Sequence, residues 1–262
     1  MKSAPYARGV PSPQNVIDIF AGEWTSLFPA EAGNVQAGKD ALFDDPRIHW
    51  AFKLFKDWGV DPVGATALDL GPLECGHSYM LLKAGARTVT AVEANRSAFL
   101  KCLITKELLG LTQLRLLHGD AVAYLENDDT LCDIVIASGL LYHLTNPVRL
   151  IERAAARGRA IFIWTMVYDE AFNLAHPDAA VATGPVYRVE QGGFEHNLHQ
   201  HGYTNGTDWS RFWGGSEPTA AWMEREDLIG ALRHFGFNRM EVVDEDNLNG
   251  RAVRIAAMRA PK

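Results

Sequence analysis

An α/β fold, with a doubly wound, mostly parallel sheet closed by an antiparallel C-terminal hairpin, is predicted by three features of this 262-residue chain. From residue 65 onward, short apolar runs alternate with helix-sized segments, the rhythm of successive βα units. The first unit, TALDLGPLECGHSYMLLKAGARTVTAVEAN (66–95), runs from an apolar strand through a turn holding Gly71 and Gly76 to a helix and a second strand ending in Glu93. The last stretch, MEVVDEDNLNGRAVRIAAMR, is two apolar runs joined by a polar loop with Asn249-Gly250, which reads as a hairpin.

Residues 1–13, with three prolines, read as an arm. QNVIDIFAGEWTSLF and PRIHWAFKLFKDWG carry apolar residues near helical spacing, so two amphipathic helices are expected, and residues 1–60 form an N-terminal arm and helical lid. The main domain is 61–262. Its candidate parallel strands are Thr66–Leu70, Val89–Glu93, Leu114–Leu117, Asp133–Ala137 and Ala160–Trp164, with SYMLLKAG, SAFLKCLITKELLG and VRLIERAAARG as helices between them. Residues 165–221 lose the rhythm and are rich in Gly, His and aromatics, as expected of a functional insertion. EREDLIGALRHFGF then reads as an amphipathic helix before the hairpin.

Composition narrows the function. With 47% hydrophobic residues the chain can bury a large core. Its net charge of −7 and lack of a dense Lys/Arg run disfavour a nucleic-acid partner. Cys75, Cys102 and Cys132 are odd in number and show no zinc spacing, so reduced thiols are expected. No apolar leader and no run near the roughly 18 residues of a membrane span is present, which points to a cytoplasmic protein without a membrane partner. Nothing in the sequence sets an oligomeric state.

Five parallel-type strands, a helix and a terminal hairpin make the strand inventory of the class I methyltransferases, and the motifs agree. Asp69-Leu70-Gly71 puts an acid just before the glycine turn after the first strand, Glu93 ends the second, Asp120 in HGDA follows the third and SGLLYHL follows the fourth. The sequence resembles that family over about residues 60–165 and 222–260. The resemblance implies a Rossmann-like, seven-stranded fold and S-adenosylmethionine as cofactor. It also implies that Asp69, Gly71, Pro72, Leu73 and Gly76 cradle the methionine end and Glu93 with Ala94 takes the ribose. Asp120 with Ala121 would meet the adenine, and Ser138 with Gly139 the reactive end. Where the family usually has glycines, two and four residues after Gly71, this chain has Leu73 and Cys75. Glu74 is an extra acid there, readable as a partner for the cofactor's ammonium or as a solvated carboxylate. His77 reads as an ordinary first-turn residue. A dinucleotide-dependent dehydrogenase is the rival, but GPLECG lacks the GxGxxG spacing and the hairpin is foreign to that fold.

The family's reaction is in-line displacement at a sulfonium, in which the protein aligns the nucleophile and removes its proton. His143 is the first candidate base because imidazole titrates near neutrality, with Tyr142 and Tyr168 behind it. The insertion is expected to supply contacts to a small-molecule acceptor, polar or aromatic, methylated at O or N: Tyr168, His196, His199, His201, Trp209 and Glu217. EHNLHQH as a loop matches no known metal spacing, so no metal is expected. SGLLYHLTNPVRLIE is also similar to a run in tRNA wobble-uridine carboxymethyltransferases; carboxymethyl transfer would require a cation such as Arg188, Arg211 or Arg225. Two further readings stay open: intramolecular cyclisation releasing methylthioadenosine, and a non-catalytic cofactor-binding regulatory module.

Overall fold

The computed structural model describes residues 6–175, 183–202, 215–247 and 250–259. In chain order its elements are α1 (Pro13–Ile17), α2 (Pro46–Asp57), β1 (Thr66–Leu70), α3 (Gly76–Lys83), β2 (Thr88–Glu93), α4 (Arg96–Leu108), β3 (Leu114–His118), α5 (Ala121–Asn127) and β4 (Cys132–Ser138). There follow α6 (Pro147–Arg157), β5 (Gly158–Val167), α7 (Glu170–Ala175), β6 (Thr183–Gln191), β7 (Phe194–Gly202), β8 (Thr219–Trp222), α8 (Arg225–His234), β9 (Arg239–Asn247) and β10 (Gly250–Met258).

Seven strands form the main sheet in the order β3-β2-β1-β4-β5-β10-β9. The first five are parallel, while β10 runs antiparallel to both β5 and β9. This is the predicted doubly wound sheet with its terminal hairpin; Asn249 of the hairpin loop lies outside the described residues. The two-residue period of each strand explains its double burial. Ala67, Val89, Ala91, Ile134, Ile136, Ala160 and Phe162 join one apolar cluster, while Leu68, Leu70, Val92, Val135, Ala137, Ile161 and Ile163 join the other. The first face is covered by the N-terminal segment with α2, α3 and α4, the second by α5, α6 and α8. No described helix is long and apolar enough to cross a membrane.

Two local expectations change. The segment 14–28 is not one amphipathic helix: α1 gives way to a short 3-10 turn at Asp18–Phe20, and Gly22 then takes a left-handed φ of 83° that no helix continues through. The chain next runs extended, with Ser26 bridged to Asp40, and its Trp24, Phe28 and Phe43 rings pack edge to face or tilted in sequence onto Tyr79. The second expected helix is present as α2, opened by Pro46 and capped by Asp45, whose side chain accepts from Arg47 N. Within the insertion, EHNLHQH is not a loop but strand β7, the centre of a second antiparallel sheet β6-β7-β8.

The fit of the N-terminal segment onto α3 depends on a glycine. A Cβ at Gly76 would lie 2.4 Å from the Leu42 carbonyl oxygen. Gly76→Ala is therefore expected to lower stability by about 2–3 kcal/mol. Gly119→Ala, where an added Cβ meets nothing within 4 Å, should change it by less than about 0.5 kcal/mol. Urea denaturation of the two variants checks both values.

Candidate active site

In an open parallel sheet the ligand crevice lies beyond the carboxyl ends of the strands, where the strand order reverses. Here the reversal falls between β1 and β4, and Asp69, Glu93 and Asp120 stand at or just after the carboxyl ends of β1, β2 and β3. Asp69 is the penultimate residue of β1, fully enclosed, and its Oδ2 accepts from Ser78 Oγ at 2.6 Å. Burial pushes its carboxyl up, partly offset by the charge of His77 and the Ser78 hydroxyl. Glu93, 4% exposed at the end of β2, accepts from Leu73 N at 3.1 Å and Asn95 N at 2.7 Å. Burial, with a smaller push from Asp69, raises its pKa to about 7 against those backbone donors. Asp120 follows β3 as the exposed cap of α5, its Oδ1 accepting from Ala123 N at 2.7 Å, with Ala121 beginning the helix. Ala94 accepts from His118 Nε2 through its carbonyl. At the end of β4, Ser138 pairs in register with Trp164, and Gly139 turns with a φ of 74°.

The turn after β1 is the informative part. Gly71, Leu73 and Cys75 have φ of 70°, 56° and 63°, so the left-handed conformation recurs at the very positions where the sequence departs from glycine. The backbone path is that of an alternating glycine turn, made with residues that resist it by about 1–2 kcal/mol each. The surroundings hold it. Leu73 N is on Glu93, Cys102 Sγ donates to Leu73 O at 3.3 Å, and Cys75 N donates to Pro72 O at 2.8 Å. Glu74 is not a solvated carboxylate. Its buried carboxylate accepts from Thr25 N, Ser26 N and Lys101 Nζ at 3.0, 2.9 and 2.8 Å, which takes both oxygens.

Tyr142 and His143 sit on the short helical turn after β4. Their rings are 4.1 Å apart, and Tyr142 meets Trp164 and Trp222 edge to face. Trp222 Nε1 donates to Tyr142 O at 3.1 Å, and the same indole stacks on His201 at 4.4 Å. Burial raises the Tyr142 phenol to about 12 and, with His201 nearby, lowers His143 to about 4. Tyr168 donates its backbone N–H to Met223 O and stacks on His199 at 3.4 Å, and His199 Nε2 bonds Glu224 Oε1 at 3.0 Å. On β7, His199 and His201 share a face. His196 points the other way, onto Phe194, which packs against Gly230 and His234 of α8. The three histidines therefore do not converge, and no group of three metal-ligating side chains occurs among the described residues. Glu217 is exposed ahead of β8; Trp209 lies outside the described residues, as does Arg211.

A cation that sequence reading missed, Arg47, lies beside Trp164. Arg47 forks onto Asp45, with Nε 3.0 Å from Oδ1 and NH2 2.7 Å from Oδ2, and its guanidinium lies 4.8 Å from the Trp164 ring centre. His77 Nε2 also bonds Asp45 at 3.0 Å. Burial pushes the Asp45 carboxyl up, but His77 and Arg47 outweigh it and hold the group well below the usual range. Arg188 and Arg225, the candidates taken from sequence, are instead paired on the surface with Glu195 and with Asp244 and Glu226. Only an i, i+2 pair before an amphipathic helix hinted at Arg47.

No family model matches the sequence, and no curated protein matches it. Solved structures do. The N-terminal domain of EvdMO1 with bound S-adenosylhomocysteine superposes with a TM-score of 0.69 at 19% identity, covering 95% of each chain. This chain carries the class I methyltransferase fold. Magnesium protoporphyrin IX methyltransferase from Synechocystis PCC 6803, also with S-adenosylhomocysteine, gives a TM-score of 0.55 at 14% identity over 82% of each chain. A putative S-adenosylmethionine-dependent methyltransferase from Listeria monocytogenes gives 0.54 at 12% identity, over 80% of this chain and 98% of that one. Full-length EvdMO1 is longer, and this chain spans 41% of it.

Proposed function

We propose that the protein is an S-adenosylmethionine-dependent methyltransferase acting at O or N of a small polar or aromatic acceptor. The observation that carries this reading is the left-handed alternation at Gly71, Leu73 and Cys75, set between the acids of β1 and β2 on a methyltransferase fold. Such a turn lets the backbone pass close to an amino-acid moiety, and Glu93 beside it takes the two ribose hydroxyls in this reading. Asp120 takes the adenine amine, and Asp69 acts on the methionine end through Ser78 or water. Arg47 supplies a cation for a ligand carboxylate.

The cofactor, when bound, supplies a methyl group on a sulfonium sulfur whose leaving group is a neutral thioether. The protein's share is alignment, exclusion of water and handling of one proton. His143, neutral at every physiological pH, accepts the acceptor's proton, Tyr142 shapes the reactive end, and Tyr168, His199 and His201 contact the acceptor. Carboxymethyl transfer stands as a second reading because Arg47, near Tyr142 and Trp164, is a cation at that end of the crevice.

Incubation with S-adenosylmethionine and candidate acceptors, read by mass spectrometry, tests the reading. S-adenosylhomocysteine together with an acceptor heavier by one methyl group is expected. Methylthioadenosine released without acceptor would overturn it in favour of cyclisation, and failure to bind the cofactor at all would remove it. Sugars belong in the first panel, since a structure of the EvdMO1 N-terminal domain was obtained in the presence of S-adenosylhomocysteine and D-fucose.

A further inference from the structure

The buried Glu74–Lys101 pair has no part in the chemistry just described, yet it lies inside the turn on which that chemistry depends. Glu74 stands between the two left-handed non-glycine residues, Leu73 and Cys75. Its side chain is fully enclosed and Lys101 is nearly so, at 0% and 5% side-chain exposure. The carboxylate draws three donors from two other parts of the chain: the amides of Thr25 and Ser26 in the N-terminal segment, and the ammonium of Lys101 in α4. Lys101 also donates to Glu23 O at 2.9 Å and lies 5.6 Å from the centre of the Trp24 ring. The extended segment around Thr25 is clamped in turn, since a Cβ on Gly38 would fall 2.1 Å from the Thr25 carbonyl carbon.

A buried ion pair contributes little net stability compared with an apolar pair of similar size, but it strongly favours the one geometry in which all its donors are met. Here that geometry is the turn with residues 73 and 75 left-handed. We propose that Glu74, with Lys101 and the Thr25–Ser26 amides, is a positioning brace that replaces the conformational freedom of two glycines. The brace holds the cofactor turn in its ligand-ready form before the ligand arrives. This rests on the cofactor reading above. It also makes the N-terminal segment a fixed part of the cofactor site.

The test uses the full chain and S-adenosylhomocysteine as the probe. Glu74→Gln alone strands the Lys101 charge and risks misfolding, so the double variant Glu74→Gln/Lys101→Met is the primary one, checked for folding by circular dichroism and thermal denaturation. Its affinity by calorimetry should fall at least tenfold, and in turnover the cofactor KM should rise with kcat within about twofold. Adding Leu73→Gly and Cys75→Gly to that variant should recover most of the lost affinity, because glycine adopts the left-handed region without support.

Unchanged affinity in the folded double variant would overturn the brace, as would a loss that the glycines do not recover. Failure of the wild-type protein to bind S-adenosylhomocysteine would instead remove the cofactor reading. If the double variant does not fold, amide exchange in the wild-type protein decides. Slow exchange at Leu73, Thr25 and Ser26 without ligand is expected, and fast exchange that slows only on ligand addition would overturn the proposal.

Discussion

Glu93→Gln is expected to weaken S-adenosylhomocysteine binding by about thirty- to a hundredfold, the size of two charge-assisted hydrogen bonds lost to a neutral amide. The carboxylate is also part of the turn, since it holds Leu73 N and Asn95 N, so the loss exceeds that at an exposed ribose-binding acid. Its protonation gives a second signature. With a pKa near 7 in the free protein, Glu93 carries a proton at mildly acidic pH, whereas two ribose hydroxyls donating to it favour the anion. Affinity should therefore be constant above pH 8 and fall by up to about tenfold per unit below pH 7. Glu93→Gln should lose that slope. The sign for stability is opposite. A folded pKa above the unfolded value of 4.5 means that the contribution of Glu93 is present below pH 4.5 and lost as pH rises through about 7. Saturating ligand should thus raise the melting temperature more at pH 8 than at pH 6. Calorimetry and thermal denaturation across pH 5.5–8.5 check all three.

His143→Ala is expected to lower kcat by about ten- to fiftyfold, below the usual effect of a positioned proton acceptor because the burial that lowers its pKa also weakens it as a base, with S-adenosylhomocysteine affinity within about twofold. Burial and the neighbouring His201 hold the imidazole near 4, so it is already neutral throughout the working range. No rate limb from His143 should appear between pH 5.5 and 9. Steady-state kinetics of the wild-type and His143→Ala proteins decide this. A limb near pH 6.5 that disappears in the variant would mean that the site is far more hydrated than its packing against Tyr142 and Gly215 indicates.

The parallel sheet was legible because its central strands are largely apolar on both faces, and because glycine and acid residues mark the strand ends. Asp69, Glu93, Asp120 and Gly139 stood out only together, in order at successive strand ends and through the family resemblance. Leu73 and Cys75 did not: an L-residue adopts a left-handed conformation only when distant contacts impose it, and the contacts here come from Glu93, Cys102 and the N-terminal segment. Glu74 read as a loop acid because its partners lie 48, 49 and 27 residues away in sequence. Strand β7 was hidden by its histidines, which are polar in any scale but stack as rings in the structure. A signal was nevertheless present. Gly192-Gly193, with φ of 56° and 81°, separates VYRVEQ from FEHNLHQ as a two-residue hairpin turn does. Arg47 was missed because its role depends on Trp164, which is remote in sequence and adjacent only after the sheet has formed.

A crystal structure with S-adenosylhomocysteine is the most direct test of the cofactor site. Both ribose hydroxyls are expected within hydrogen-bond distance of Glu93, with the adenine beside Asp120 and the amino-acid moiety on the turn 71–76. The sulfur should face Tyr142 and His143. A ligand bound elsewhere, or a ribose that does not touch Glu93, would contradict that reading.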